Sequence, residues 1–379
     1  MRKFTVRRPS RSSAGRFGYA REILRTVPTP AFAVRHEGRG RTSSHVRGAL
    51  LTLALLLATA LAVAGCGSGG ATTTSRAAHT RRSRARAAVK TAAPVHLAYH
   101  ALYALPAAVR DAAFAPLSGG RFALLGGLTA ADTSTAAIEV GDVHGILHTA
   151  ALTAPQHDAE AATLGGNVYV FGGGVLTQFD HILRYEPASG SVTQVGALPA
   201  GQSDVGVAGA STTAYVVGGF DGTNYLNTVV AWRPGMAPAV EAHLPVGLRY
   251  PAVAVAGNGL YIMGGSDPSG ASNAVYRFDL TTHQVRQIAT LRHPVTHGMA
   301  ATLGSTVYLI GGRGDLDTAQ TADIWAINPA TGRITGAGRL PTPTSDAAAM
   351  SLGGGIVIAG GQSPTTTLAS VGELVPASR

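Results

Sequence analysis

Short apolar runs recur along most of the chain, and each of them ends at a pair of glycines. The six runs occupy residues 122–125, 168–171, 214–217, 260–263, 307–310 and 356–359. Runs of this length that are rich in β-branched and aromatic residues favour buried strands. Two adjacent glycines allow backbone angles closed to other residues and let a neighbouring chain come close. The pattern therefore predicts six buried strands, each followed by a tight exit.

The glycine pairs are almost evenly spaced. Their first members are 46, 46, 46, 47 and 49 residues apart and are Gly126, Gly172, Gly218, Gly264, Gly311 and Gly360. A fixed period of this length is typical of a repeat architecture. We therefore expect one structural unit in six copies.

The remainder of each unit predicts three more strands. A polar loop follows the glycine pair, and a second short run then leads into a turn with Pro and Gly, such as residues 187–190 or 329–332. Such turns join antiparallel strands. A third run ends at Leu-Pro, at residues 105–106, 198–199, 244–245 and 340–341, with looser versions at 152–155 and 291–294. The strand of small residues after it is expected to be the innermost.

At this point the sequence resembles the kelch repeat. The segment from Gly218 to Asn227 reads GGFDGTNYLN, which is close to that family's consensus around its glycine pair, and the resemblance covers residues 95–379. It implies an all-β fold: a six-bladed β-propeller with four antiparallel strands in each blade around a central channel. One departure concerns the outer strands, where kelch repeats often carry Trp and this chain has Val192, Val285 and Ile334.

Residues 95–102 are expected to close the ring of blades. The sixth unit ends after its third strand, whereas residues 95–102 precede the first Leu-Pro as an outer strand without a blade. Pairing them with the last blade leaves no open sheet edge to nucleate aggregation. We therefore predict one closed domain over residues 95–379.

The residues before this domain are of another kind. Residues 49–64 are uncharged and apolar and follow Arg47, which predicts a signal peptide within residues 1–65, too short for a comfortable membrane span. The next residues complete Val63-Ala-Gly-Cys66, which resembles the bacterial lipobox, and Cys66 is the only cysteine. Lipidation of Cys66 would anchor an exported protein to the outer face of the cell membrane. The alternative is an ordinary secretory signal with a chance cysteine.

Two basic segments flank this signal. The first 48 residues hold 11 Arg and only two acids, and they are explained either by a true start at Val46 or by a functional basic or twin-arginine leader. Residues 66–94 form a linker rich in Gly, Ala, Thr and Ser with six basic residues, a composition that stays disordered. Its charge would either hold it near anionic headgroups, at about 1 kcal/mol per residue, or merely keep the spacer solvated.

Net charge differs between the two parts of the chain. Residues 1–94 contain 18 of the 30 basic residues and 2 of the 20 acids, so the predicted propeller is acidic, with a net charge of −6. An acidic domain without lysine is a poor candidate for binding a phosphate backbone. We expect no nucleic-acid partner.

Several kinds of catalytic chemistry are excluded by composition. With Cys66 in the lipobox, the propeller has no disulfide, no thiolate nucleophile and no cysteine for a copper-radical site of the galactose oxidase type. No phosphate-binding loop and no Gly-x-Ser-x-Gly motif occurs. The pairs His96/His100 and His144/His148 would lie about 13 Å apart on strands, too far to chelate one ion. No metal site and no cofactor is predicted.

One polar position recurs at the same place in every unit. It lies 14 residues before the first glycine, or 15 in the first unit, and is occupied by Asp111, Asp158, Asp204, Tyr250, His297 and Asp346. The kelch resemblance places this position at the channel mouth, so that the six would form a ring able to bind a cation, an amine or sugar hydroxyls. Arg110 and Arg249, at the family's arginine position, would fix a carboxylate. The alternative is that each Asp caps its own turn.

Two functional hypotheses follow. The first is a membrane-anchored, extracytoplasmic binding module for an unidentified protein or carbohydrate, favoured by the plain repeats, the short loops and the lack of an evident catalytic set. The second is a carbohydrate-acting enzyme of the sialic-acid mutarotase type, since some exported bacterial kelch propellers are of this kind. It requires an acid/base pair and an arginine at the mouth, for which Arg249, His297 and the aspartates are the candidates. The fold alone does not decide between them.

Overall fold

The structure is a computed structural model, and it describes residues 95–316 and 319–377. These residues form strands and turns, and no helix of membrane-spanning length occurs among them. The predicted leader, signal peptide, lipidated Cys66 and disordered linker lie in residues 1–94, outside the described residues.

The strands are short, with one exception. In chain order they are β1 (Leu97–Ala104), β2 (Val109–Arg110), β3 (Ala113–Leu117), β4 (Arg121–Leu125), β5 (Leu128–Thr129), β6 (Thr135–Asp142), β7 (Gly145–Leu164), β8 (Asn167–Gly174), β9 (His181–Glu186), β10 (Ser191–Ala197), β11 (Gly206–Ala210), β12 (Thr213–Val217), β13 (Thr228–Trp232), β14 (Ala239–His243), β15 (Ala252–Ala256), β16 (Gly259–Met263), β17 (Ser266–Asp267), β18 (Gly270–Ala271), β19 (Ala274–Asp279), β20 (Val285–Thr290), β21 (Met299–Leu303), β22 (Thr306–Ile310), β23 (Asp323–Ile327), β24 (Ile334–Arg339), β25 (Ala348–Leu352), β26 (Gly355–Ala359) and β27 (Ser370–Pro376).

The strands form six antiparallel blades, as predicted. Blade 1 contains β3, β4, β6 and the start of β7, and blade 2 contains the rest of β7 with β8, β9 and β10. Blades 3, 4 and 5 are β11 to β14, β15-β16-β19-β20 and β21 to β24, and blade 6 is β25-β26-β27-β1. The innermost strands contact one another in sequence, and β25 returns to β3. The described residues therefore form a closed six-bladed β-propeller.

Blades 1 and 2 share strand β7. Its residues up to Gln156 pair with β6, and those from His157 onward pair with β8. The sequence predicted that a strand ends at residues 152–155, and this is wrong, because one strand runs through Pro155. The register shifts between Thr135 and Ala137, so Pro155 lies at an irregular point of the ladder. Proline is tolerated at such bulges because its missing N–H is not needed there.

The first strand of the propeller closes the last blade. Strand β1 pairs with β27 in an antiparallel register from Leu97↔Pro376 to Ala104↔Ser370. This confirms the predicted closure, although the strand begins and ends two residues later than expected. Leu97 is buried in the cluster between blades 5 and 6, so β1 joins the core as well as the sheet.

The core lies between the blades rather than inside any one of them. Six apolar clusters each combine residues from two successive blades, and the last joins blade 6 to blade 1. The second strands are buried along their length, as in β12, β16 and β26, because they have a neighbouring blade on both faces. Between blades 2 and 3, for example, Trp232 packs edge-on against Tyr169, with ring centroids 4.8 Å apart.

The glycine pairs lock neighbouring blades together. In all six, the N–H of the second glycine donates at 2.7–2.9 Å to a carbonyl of the segment that leads to the next innermost strand, as Gly312 does to Thr344. A Cβ on the first glycine would lie closer than 3.0 Å to that same carbonyl oxygen, as Gly311 shows. No other residue type fits this approach, so each pair, which we call a glycine lock, is set by the contact between blades.

The three outer-strand residues that replace the family's Trp still take part in packing. Val192 in β10, Val285 in β20 and Ile334 in β24 are partly buried against the clusters of their own blades. Aliphatic side chains therefore cover the outer part of the core in these blades.

Candidate functional site at the channel mouth

The six recurring polar residues lie together around the channel axis. Each precedes an innermost strand by two residues or, for Asp158, lies within β7. We call them the ring. Five backbone hydrogen bonds of 2.8–3.1 Å connect its members, from the N–H of one to the carbonyl of another in the neighbouring blade: Asp111 to Asp346, Asp158 to Asp111, Asp204 to Asp158, Tyr250 to Asp204 and Asp346 to His297. Backbone hydrogen bonds alone thus hold the six residues next to one another, independently of their side chains.

Every ring residue adopts a left-handed backbone conformation. Their φ angles lie between 49° and 60°. Asp tolerates this region better than most residues, which helps to explain why four of the six are Asp. His297 shares part of that tolerance, whereas Tyr250 does not. Non-glycine residues held in this region cluster at functional sites, because the surroundings must impose the strain, typically about 1–3 kcal/mol each.

Asp204 forms an ion pair with Arg249. The side chain of Asp204 is 1% exposed, and its carboxylate accepts a hydrogen bond from Nε of Arg249. The guanidinium also lies over the ring of Phe220, 4.3 Å from its centroid, and over that of Tyr225. The neighbouring carboxylate keeps the pKa of Arg249 above its usual value despite burial. The predicted arginine is therefore engaged within the protein.

The carboxyl group of Asp158 holds its proton more tightly than an ordinary aspartate does. Its Oδ2 accepts from the Tyr250 hydroxyl at 3.4 Å and lies 3.5 Å from Nε2 of His157. Burial raises its pKa well above the usual value, and the nearby carboxyls of Asp204 and Asp346 raise it further. Burial, with the nearby charges of Asp158, Asp204 and Asp111, also raises the pKa of Tyr250. Both groups therefore favour their neutral forms.

Asp111 and Asp346 are a second pair of crowded carboxyls. Burial raises the pKa of both, and at Asp111 the charges of Asp346 and Asp158 raise it further. Arg110 approaches Asp111 at 3.3 Å, and the Ser345 hydroxyl donates to Asp346. The preceding residue thus supplies a partner for Asp111 and Asp346, whereas Asp204 and Asp158 also have a partner from another blade, Arg249 and Tyr250.

Tyr250 and His297 are the two aromatic members of the ring. The phenol of Tyr250 and the imidazole of His297 stack, with their centroids 3.6 Å apart. Nε2 of His297 lies 3.2 Å from Arg313 and 3.7 Å from Asp346, and its Nδ1 lies 3.0 Å from the Thr296 hydroxyl. Burial, with the Arg313 charge, lowers the pKa of His297 well below its usual value. This imidazole is therefore neutral, with Nε2 as acceptor from Arg313.

A cavity of about 630 Å³ opens above the ring. We call it the mouth pocket. Five ring residues line it, and Asp204 and Arg249 do not. The other polar side chains on its wall are Arg110, Asp132, His157, Arg313, Gln320, Gln362, Thr365, Thr366 and Thr367. Among the described residues, no group of three or more His, Cys, Asp or Glu has a metal-binding arrangement.

Most of these wall residues were missed by the sequence analysis, although two carried a signal. Arg313 and Gln362 directly follow a glycine lock, and each forms a β-bridge with the residue before the ring, Thr296 or Ser345. Arg110 pairs with Leu128 in the same way. The residue after each glycine pair therefore recurs in the sequence and could have been predicted as a second position of the site. The loop threonines do not recur from unit to unit, so no repeat marks them.

Comparisons with known proteins agree with this architecture. Residues 159–361, just over half of the chain, match the family model of the KLHDC2/KLHL20/DRC7 Kelch-repeats domain. No curated protein sequence matches the chain. A solved structure described as "Structure of YjhT" is similar, with a TM-score of 0.62 and 18% identity over 71% of this chain and 95% of that one. At this identity the likeness concerns the fold alone.

Proposed function

Because this chain belongs to the kelch-repeat family, whose propellers suit interaction modules as well as enzymes, we propose that it is a binding module held at the outer face of the cell membrane. The mouth pocket would take its ligand. The observation that carries this proposal is the ring itself: five of its six side chains, all in a left-handed backbone conformation, line the floor of one polar cavity.

The pocket favours a small polar ligand. Its volume lies within the range of about 300–1,000 Å³ that is usual for small-molecule sites. Carboxyl, guanidinium, amide and hydroxyl groups surround it, whereas Leu128 and Ala130 are its apolar contributors. Such a wall offers donors and acceptors in many directions, as a carbohydrate with several hydroxyl groups requires.

The chain enters the propeller on the face opposite the mouth pocket. The pairing of Ala104 with Ser370 places the end of β1 near the mouth, because Ser370 directly follows a loop of that face. Leu97, where the chain enters the propeller, therefore lies on the opposite face. A membrane attachment upstream of β1 is compatible with a mouth that is open to solvent.

The ligand hypothesis is tested by thermal unfolding of the full chain with neutral sugars, sugar acids and calcium. A ligand at 100 times its Kd adds about 2.7 kcal/mol of stability. We expect a sugar to raise the melting temperature of the wild type, and this rise to vanish in the double variant Asp158→Asn/Asp346→Asn. Glu186→Gln, which removes a carboxylate from a turn on the other face, should respond like wild type. If no compound shifts the wild type, the ligand hypothesis is wrong.

The anchor is tested separately. Cys66→Ser should move the protein from the membrane fraction to the soluble fraction, because the thiol is the only possible site of lipidation. Labelled fatty acid should enter the wild type and not the variant. Failure of the label to enter the wild type in a bacterial host that lipidates exported proteins would contradict the anchor.

A second candidate function is a sugar mutarotase, favoured by the displaced pKa values of the ring. A carboxyl with raised pKa, such as Asp158, could protonate the ring oxygen of a sugar while a second group removes the proton of the anomeric hydroxyl. The ring C–O bond then breaks to give the open-chain carbonyl form, and the reverse steps on the other carbonyl face give the other anomer. NMR exchange between the anomers of N-acetylneuraminic acid tests this, with Asp158→Asn as the variant that should lose the exchange.

A further inference from the structure

A second, much smaller cavity lies beneath the ring. It has a volume of about 60 Å³ and is lined by all six ring residues together with Glu160. Five of these ring residues also line the mouth pocket, and Glu160 also lines the central channel of about 340 Å³. We call this space the neck cavity. It shares wall residues with both the mouth pocket and the channel.

Glu160 breaks the sixfold repetition of the channel. It follows its ring residue by two positions, and the equivalent residues of the other blades are Ala113, Gly206, Ala252, Met299 and Ala348. Blade 2 alone therefore brings an ionisable group to this level. The channel beyond it is lined mainly by Ala, Gly, Val and Met, which offer the carboxyl no side-chain partner.

The neck cavity has an excess of acid. Five carboxyl groups line it, and none of the residues on its wall is Lys or Arg. Two of the five carboxyls have an arginine partner that lies outside this wall: Arg249 binds Asp204, and Arg110 lies 3.3 Å from Asp111 as well as 2.9 Å from Asp132. Buried carboxylates without a cation are costly and take up protons instead. Burial raises the pKa of Glu160 to about 8, in keeping with this.

The size of the neck cavity selects the compensating group. Its volume holds a few water molecules, so a sugar ring does not fit. The described carboxylates and histidines have no metal-binding arrangement. A primary ammonium group is small, carries one positive charge and has three N–H donors, which suits a space with acceptors on several sides. The rest of such a ligand would remain in the mouth pocket.

We propose that the ligand of the mouth pocket carries a primary ammonium group, which enters the neck cavity and is held by Glu160 together with the ring carboxylates. This inference rests on the proposed binding function and narrows its ligand to an amine with a polar body. Glu160 then selects amines over their hydroxyl analogues.

Binding of such an amine depends on pH. Glu160 shares the neck with Asp111, Asp158, Asp204, Asp346, Tyr250 and His297. The ammonium group replaces protons held by the carboxyls, so affinity rises as they ionise, while His297 stays neutral and contributes no change. An alkylamine with a pKa near that of lysine, about 10.4, stays charged over this range. Affinity should therefore increase from pH 6 to pH 9.

The test is calorimetric titration of the full chain with aminopentanol and pentanediol, which differ only in one terminal group. We expect aminopentanol to bind at least about tenfold more tightly at pH 8, and tetramethylammonium, which has no N–H donor, not to bind. Glu160→Gln keeps the shape of the protonated side chain and should abolish the preference for the amine. Glu186→Gln is the control that should preserve it.

The outcomes separate this inference from the proposed function. Equal affinity for aminopentanol and pentanediol, or an unchanged amine preference in Glu160→Gln, would overturn the ammonium site while leaving the mouth pocket as a binding site for neutral ligands. If the neutral sugars of the thermal screen also leave the wild type unchanged, both proposals fail. A preference that is lost in Glu160→Gln and kept in Glu186→Gln supports the ammonium site.

Discussion

The glycine locks and the ring adopt nearly the same backbone conformation, yet one is invariant and the other varied. The first glycines of the six locks have φ angles of 58–68°, and the ring residues have φ angles of 49–60°. The locks are glycine in every blade, whereas the ring contains four Asp, one Tyr and one His. The left-handed conformation alone therefore does not dictate glycine.

Available space explains the difference. A Cβ on the first glycine of a lock meets a carbonyl of the segment that leads to the next innermost strand, whereas ring side chains extend into the mouth pocket and the neck cavity. At the ring, a side chain costs up to about 1–3 kcal/mol of backbone strain, less at the four aspartates, and the protein accepts this cost in every blade. Positions with the same conformation thus divide into those that hold the blades together and those that are free to carry chemistry.

The largest effect is expected from breaking a lock. Gly311 and Gly304 lie in the same blade with φ angles of 58° and 61°, but a Cβ at Gly304 meets nothing within 4 Å. Gly304→Ala should cost about 1–2 kcal/mol, the strain of the conformation alone. Gly311→Ala should cost about 4 kcal/mol, because the blade interface must also separate. Chemical denaturation of both full-length variants measures the difference. Equal losses would show that conformation, and not space, selects glycine at the locks.

A change of pH is expected to have an intermediate effect on the stability of the fold. This effect arises at the ring and Glu160 and not at the glycine locks, which have no ionisable side chain. The raised pKa values of Asp111, Asp158 and Glu160 mean that the folded protein retains protons that the unfolded chain releases. Stability is therefore present at low pH and lost as pH rises toward these pKa values. The lowered pKa of His297 acts in the opposite direction, but only below about pH 6.5, the ordinary value for His.

Between pH 6.5 and 8 the free energy of unfolding should fall, by up to about 1.4 kcal/mol per pH unit for each proton retained. Glu160→Gln should flatten this decrease, and Glu186→Gln should not. The measurement is urea denaturation at several pH values. A stability that rises over this range, or a slope unaffected by Glu160→Gln, would contradict the assignment of a retained proton to Glu160.

The smallest effect is expected from exchanging a ring residue for one that tolerates the same backbone. His297→Asn relieves strain, since Asn enters the left-handed region readily, and loses the stack on Tyr250, worth about 0.5–1.5 kcal/mol. The two terms nearly cancel, so stability should change by less than about 1 kcal/mol. His297→Val is the matched contrast, because a β-branched residue is a true outlier at this φ and should cost clearly more. Similar losses for Asn and Val would argue against backbone strain at the ring.

Those parts of the molecule that follow from local repetition could be predicted from the sequence. The glycine pairs gave the blade count, since their period needs no knowledge of contacts. The strand of residues 95–102 was assigned to blade 6 because its place before Leu105 matches an outer strand. The ring was located by its constant distance from Gly172 and its equivalents. In each case one unit could be compared with five others.

Features that arise between units could not be predicted in this way. The ion pair of Arg249 with Asp204 connects two blades, and the continuous course of β7 through Pro155 depends on a bulge opposite Ala136. Glu160 was overlooked because a single acid on a strand of small residues has no repeat that marks it. Its meaning depends on the cavity, which the six blades create only together.

The pairing of β1 with β27 also determines the order in which the molecule can fold. The two strands stand at opposite ends of the propeller sequence, so blade 6 stays incomplete until β27 is synthesised. Until the two strands pair, each of them exposes an unpaired edge, a state that invites association with other chains. Closing so long a loop costs only modestly more entropy than closing a shorter one, because the cost of closure grows with the logarithm of loop length. We therefore expect the seam between β1 and β27 to form last in folding and to open first under stress.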